Sequence, residues 1–234
     1  MPKKFTPKNP PRVPRSTASF DYQDDPTWRI FRIMSEFVDG FQFISEFENE
    51  VTFFGSARFS PQHKYYKIAK DLAEKLSRAG YTIITGGGPG IMEAGNRGAI
   101  EGKCGESVGL NIQLPYEQRV NKFVQKGMGF HYFFTRKVML SASAQAYVFF
   151  PGGFGTLDEF FEIITLIQTK KTESNIPVIL IGEEFWSPLL DWMDKVMCEQ
   201  IEATAKKDLK LYTLVKNCDE AYDIIIKSKP RIFF

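Results

Sequence analysis

Three short glycine-bearing turns, each directly behind an apolar run and ahead of a helical pattern, constrain this chain more than any other feature. Residues 51–54 read as a strand ending at Gly55-Ser56-Ala57-Arg58, and residues 81–85 as one ending at Gly86-Gly87-Gly88-Pro89-Gly90. The run Ala146-Tyr147-Val148-Phe149-Phe150 reads as a buried strand and passes into Pro151-Gly152-Gly153-Phe154-Gly155-Thr156-Leu157-Asp158-Glu159. Behind the turns the residues switch to helical patterns. Ile68, Ala69, Leu72 and Leu76 mark a helix over 65–79 closed by Gly80. A second, over 91–101, is expected to close at Gly102, and Leu157, Phe160, Phe161, Ile164 and Ile167 mark a third. Further strands are expected at 106–112, 123–130, 177–181 and 212–215, and further helices at 132–143, 186–200 and 219–227. This alternation predicts an α/β fold, a Rossmann-like parallel sheet flanked by helices on both faces. Ligands bind such sheets at the carboxyl ends of the strands, so the three turns should share one edge.

The sheet region, residues 51–234, is expected to form a single domain with an extra N-terminal helix. Residues 1–16, rich in proline, lysine and arginine and free of acids, read as a disordered basic tail. So short a tail is either simply solvated or a nucleic-acid arm. Within the helical extension of residues 17–50, Trp28, Ile30, Phe31, Met34, Phe37, Val38, Phe41 and Ile44 form an aromatic-rich stripe. Such a stripe either packs on the domain or forms a subunit contact.

Composition narrows the class. A hydrophobic fraction of 43% and a charged fraction of 25% are those of an ordinary globule. A net charge of +2 gives no reason to expect nucleic acid or a membrane as partner. The three cysteines contain no Cys-x-x-Cys pair and read as reduced thiols, and with two histidines a zinc site is not expected. No apolar run reaches membrane-spanning length and no signal-peptide core begins the chain, so a cytoplasmic protein without metal is expected.

A glycine turn between strand and helix can present backbone N–H groups to an anion, and the helix N-terminus adds partial positive charge. In the third turn the N–H groups of Gly153, Phe154, Gly155 and Thr156, with the Thr156 hydroxyl, are the expected anchor; the alternative is that Gly152 and Gly153 only tighten the turn. Gly86-Gly87-Gly88-Pro89-Gly90 does not fit G-x-G-x-x-G, and no Gly-Lys-Ser/Thr follows any of these glycines. Dinucleotides and P-loop nucleotides are therefore disfavoured, which leaves a smaller phosphate-bearing ligand such as a mononucleotide. Glu159, three residues beyond Thr156, either reaches towards that ligand or caps its own helix.

Thr85-Gly86-Gly87-Gly88-Pro89-Gly90-Ile91-Met92-Glu93-Ala94, then Thr135-Arg136-Lys137, then the Pro151–Glu159 segment, resemble the LONELY GUY (LOG) family. That family is often labelled lysine decarboxylase-like and is marked by PGGxGTxxE with an Arg-Lys pair on the preceding helix. The resemblance covers roughly residues 51–193, and the N-terminal aromatic helix with the GGGPGIMEA variant is similar to its longer, type II branch. It implies a phosphoribohydrolase that cleaves cytokinin riboside 5′-monophosphates or AMP to free base and ribose 5-phosphate, without cofactor, as a homodimer or larger homo-oligomer. It implies Glu159 and Arg136 as catalytic residues. Lys137, Gly152, Gly153, Phe154, Gly155, Thr156, Leu157 and Asp158 are then expected to contact substrate, and Gly86, Gly87, Gly88 and Met92 to line the adenine and ribose side. Glu117 and Thr165 align with substrate-contacting positions, although Thr165 could equally bond to backbone. Broader nucleotide hydrolysis, or a non-catalytic nucleotide or molybdopterin carrier, remain the alternatives. A carrier needs the glycine turns but not the pair of Arg136 and Glu159.

Overall fold

The chain starts its sheet in the middle and builds outward, first to one side and then to the other. The computed structural model describes residues 26–113, 120–173 and 175–229, so the basic tail of residues 1–16 and Glu117 lie outside the described residues. A first helix, α1 (Pro26–Ile44), leads to β1 (Glu50–Phe54), α2 (Lys64–Arg78), β2 (Thr82–Thr85), α3 (Ile91–Gly102), β3 (Ser107–Ile112) and β4 (Lys126–Phe130). Then come α4 (Phe133–Ala142), β5 (Ala146–Phe149), α5 (Phe154–Gln168), β6 (Val178–Ile181), α6 (Glu183–Trp192), β7 (Thr213–Val215) and α7 (Cys218–Lys227). The seven strands are all parallel and lie in the order β4-β3-β2-β1-β5-β6-β7. Direction of travel reverses between β1 and β5, so a crevice opens there at the carboxyl ends of the strands.

Helices cover both faces, which explains why most strands read as unbroken apolar runs. On one face Phe54, Ile84, Leu110, Phe149 and Leu180 pack with Phe160, Ile163 and Trp186 of α5 and α6, with Ile44 at the end of α1 and with Phe47 just beyond it. On the other, Val51, Phe53, Ile83, Val148 and Ile179 pack with Leu72 and Leu76 of α2, Ala94 and Ala99 of α3, and Ile225 of α7. Among the described residues no helix is long and apolar enough to cross a membrane.

Three boundaries differ from expectation for physical reasons. Gly102 does not close α3; it is the last helical residue, and Lys103 takes the left-handed position at φ 70°. Gly98 and Gly102 instead let α3 press on α2, because a Cβ at Gly98 would lie 2.1 Å from the Lys70 carbonyl oxygen and one at Gly102 2.5 Å from Ser77 Cβ. Strand β4 begins only at Lys126, since the preceding residues turn about Asn121, whose Oδ1 accepts the Phe123 N–H at 3.0 Å. The helix expected over 186–200 starts at Glu183, behind Gly182, and continues beyond Trp192 as a π-helix over Met193–Gln200.

Candidate active site

A cavity of about 690 Å³ opens at the carboxyl ends of β1, β2 and β5, where the strand order reverses. All three glycine turns reach it: Gly55 to Arg58 from the first, Gly86 from the second, Pro151 to Thr156 from the third. The turns are tied to each other through backbone. Ser56 donates its N–H to the Pro151 carbonyl at 3.0 Å, and its own carbonyl accepts the Ile91 N–H at 3.0 Å. Gly90, at φ 70°, permits that contact, because a Cβ there would lie 2.2 Å from the Ser56 oxygen. Helix α3 thus spends its leading N–H inside the protein.

Helix α5 does not. Its N-cap is Gly153, and no side chain caps it. The first N–H groups of a helix have no partner within it, so those of Phe154 and Gly155 are left for the cavity their residues line. The Thr156 N–H turns back to the Gly153 carbonyl at 3.0 Å, which removes it from the expected set of four. The Thr156 side chain folds over Gly152, where a Cβ would stand 2.1 Å from Thr156 Oγ1. The turn is therefore built around the absence of a side chain at position 152.

Helices α4 and α5 bring Arg136 and Glu159 to the same cavity. Glu159 is 4% exposed, and its Oε2 has no hydrogen-bond partner. It is the sixth residue of α5, three positions past the end of any capping box begun by Gly153, so the capping alternative falls away. Burial, helped by the neighbouring Glu162 charge, pushes its carboxyl up to about 8 against the pull of Lys137 and Arg136. Arg136 also has a buried, unpartnered Nε; burial lowers its pKa while Glu159 opposes the shift. A guanidinium titrates so high that it stays charged regardless. A buried carboxyl and a half-buried guanidinium, each with an unused buried polar atom, face one cavity.

Lys137 lines the same wall, its Nζ 2.7 Å from Asp158 Oδ2 and 3.1 Å from Glu162 Oε2. Burial works against its charge, but those carboxylates outweigh burial and raise its pKa. Asp158 is thereby a partner of Lys137, with its side chain largely exposed. Met92 and Gly86 line the cavity together, a Cβ on Gly86 meeting Met92 Sδ at 2.8 Å.

Four expected contacts lie outside the cavity lining. Gly87 and Gly88 are buried beneath it, their carbonyls accepting from Asn121 Nδ2 at 3.1 and 3.0 Å. Leu157 packs into the core, and Thr165 is exposed with its hydroxyl donating to the Phe161 carbonyl at 2.7 Å. Glu117 falls outside the described residues. Sequence reasoning passed over Asn121, which clamps the second turn from below and also donates to Asn96 Oδ1 at 2.9 Å. A lone Asn in a loop gives no sequence signal for such a role.

Residues 92–225 match the family model described as "Possible lysine decarboxylase". The chain belongs to this family. Its relatives include a probable cytokinin riboside 5′-monophosphate phosphoribohydrolase, LOGL5, of Oryza sativa subsp. japonica, 29% identical over 66% of this chain and 63% of that protein. Another is the cytokinin riboside 5′-monophosphate phosphoribohydrolase of Rhodococcoides fascians, 24% identical over 64% of this chain and 76% of the relative. The chain thus spans a little under two thirds of the rice relative's length. Among solved structures, the X-ray structure of TM1055 superposes with a TM-score of 0.55 at 22% identity, covering 76% of this chain and 99% of that one. The molybdenum cofactor carrier protein from Chlamydomonas reinhardtii superposes at 0.56 with 17% identity, covering 78% and 98%. At such identities these structures show that the family member shares their fold.

Proposed function

We propose that this LOG-family protein hydrolyses the N-glycosidic bond of nucleoside 5′-monophosphates, cytokinin riboside 5′-monophosphate or AMP among them, releasing free base and ribose 5-phosphate. The observation that carries this reading is the placement of Arg136 and Glu159, each with a buried, unpartnered polar atom, beside an uncapped helix N-terminus in one cavity. The α5 turn takes the 5′-phosphate through the Phe154 and Gly155 N–H groups, which places the anomeric carbon towards Glu159. Breaking the C1′–N bond builds positive charge on the sugar, as in glycoside hydrolysis. The Glu159 carboxylate balances that charge and takes a proton from the attacking water; the departing base nitrogen receives it. Arg136 holds sugar or phosphate oxygens through a charged, non-titrating donor.

The names of the relatives support a phosphoribohydrolase, and the site chemistry supports it over decarboxylation. A decarboxylase of amino acids works through a Schiff-base lysine that must lose its proton. The lysine lining this cavity, Lys137, is instead held protonated by Asp158 and Glu162. The fold likeness to molybdenum cofactor carriers supports a carrier as the second reading, since a carrier would use the same turns. Incubating the protein with AMP, GMP, CMP and isopentenyladenosine monophosphate and measuring free base decides between them. Base release that Arg136→Ala lowers by about 10²–10³-fold supports the hydrolase; no release from any nucleotide favours the carrier.

We also propose a homodimer as the basic unit. Trp28, Phe31, Met34 and Val38 stand on one face of α1 and stay exposed, Val38 at 65%. Phe133, Phe134 and Val138 of α4 are exposed as well. Large apolar side chains grouped in this way mark an interaction surface.

A further inference from the structure

Helix α4 carries Arg136 yet lacks a cap of its own. Its N-cap residue is Tyr132, which makes no side-chain capping bond, and no acid stands in its first turn. Two cations, Arg136 and Lys137, sit early in the helix, where they oppose its dipole. The missing acceptor comes from nearly a hundred residues upstream. Glu36, on α1, accepts the His131 N–H on Oε1 at 2.8 Å. Its Oε2 accepts the Tyr132 N–H at 3.3 Å and the Thr135 hydroxyl at 2.6 Å. The Tyr132 carbonyl in turn accepts the Arg136 N–H at 3.3 Å. One carboxylate therefore grips both residues before the helix and the residue next to Arg136.

The surroundings keep that grip in register. α1 crosses α4 at Gly40, where a Cβ would come within 2.7 Å of Met139 Sδ and 3.3 Å of a Phe130 ring carbon. Met139 lies three residues, almost one turn, beyond Arg136. The Arg29 guanidinium lies 5.8 Å over the Tyr132 ring. The first turn of α4 is thus held to α1 at its start by Glu36 and further along by the Gly40 crossing.

We propose that Glu36 is a positioning residue for the active site: by capping α4 from the N-terminal helix, it fixes the turn from which Arg136 enters the cavity. This rests on the reading of Arg136 as a catalytic group, and it gives α1 a part in the chemistry without contact to substrate.

The test is a double-mutant cycle on AMP hydrolysis with the full chain, joined to amide hydrogen exchange. Glu36→Ala should lower kcat by about 10- to 100-fold with KM changed less than about threefold, and Glu36→Asp should recover part of the loss. In an Arg136→Ala background Glu36→Ala should cost almost nothing more, because both changes remove the same interaction. Full multiplication of the two losses, or an unchanged kcat in Glu36→Ala, overturns the proposal. Glu36→Gln, which keeps the size of the side chain, serves should the alanine variant fold poorly. Exchange at residues 131–136 should quicken in each variant, and unaltered exchange there also overturns the proposal. Should no nucleotide be cleaved by the parent protein, the proposed function fails alone, and the exchange result still decides whether Glu36 holds the Arg136 turn.

Discussion

Glu159 occupies a position that costs stability. Its carboxyl is pushed up to about 8, first by burial, from an ordinary value of 4.5. Below about pH 4.5 folded and unfolded states both hold the proton and the residue is neutral in stability. Between about 4.5 and 8 the unfolded chain releases its proton while the folded one keeps it, so stability falls as pH rises. Glu159→Gln should therefore be more stable than the parent at pH 8, by a few kcal/mol or roughly 5–10 °C in Tm, with the gap closing towards pH 4.5. Thermal melts at several pH values check this. The same variant should lose nearly all base release. Because the proposed mechanism needs the carboxylate, kcat/KM should rise about tenfold per pH unit below neutrality and level off near pH 8. A flat profile would remove Glu159 as the group that takes the proton.

The α5 turn is where a single element combines strand end, glycine and helix dipole. Gly152→Ala would push a methyl into Thr156 Oγ1, so it should weaken AMP binding at least tenfold and lower stability by about 1–3 kcal/mol. At Gly155 a Cβ meets nothing within 4 Å, so Gly155→Ala should fold as the parent does, which calorimetry and melting would show. Much of this was legible in the sequence. The apolar runs, the positions of the glycines and the helical spacing after Phe154 placed most strands and helices within a few residues. The use of Gly98 and Gly102 was not legible, because glycine near a helix end signals closure unless the neighbouring helix is seen. The clamp on Gly87 and Gly88 was not legible either, because Asn121 takes up their carbonyls from a loop more than thirty residues away.

For the whole molecule, α1 has two roles on two faces. Ile44 enters the core and Glu36 grips α4, whereas Trp28, Phe31, Met34 and Val38 remain exposed. If the proposed homodimer forms through this face, Phe31→Glu with Val38→Glu should halve the mass seen by light scattering while leaving secondary structure intact; a parent of monomer mass, or an unchanged dimer mass in the variant, would overturn the proposed contact. The aromatic stripe was visible in the sequence as a choice between packing and assembly; Ile44 packs in the core, while Trp28, Phe31, Met34 and Val38 stay exposed. The Glu36 cap was invisible, since its partners stand 95 to 99 residues away. One feature of the crevice reaches further. The Ser56 carbonyl closes off α3 while α5 is left open, so three glycine turns on one edge leave a single uncapped helix N-terminus facing the crevice. A crystal soaked in tungstate should show one strong peak, above Gly155, and none beside Ile91.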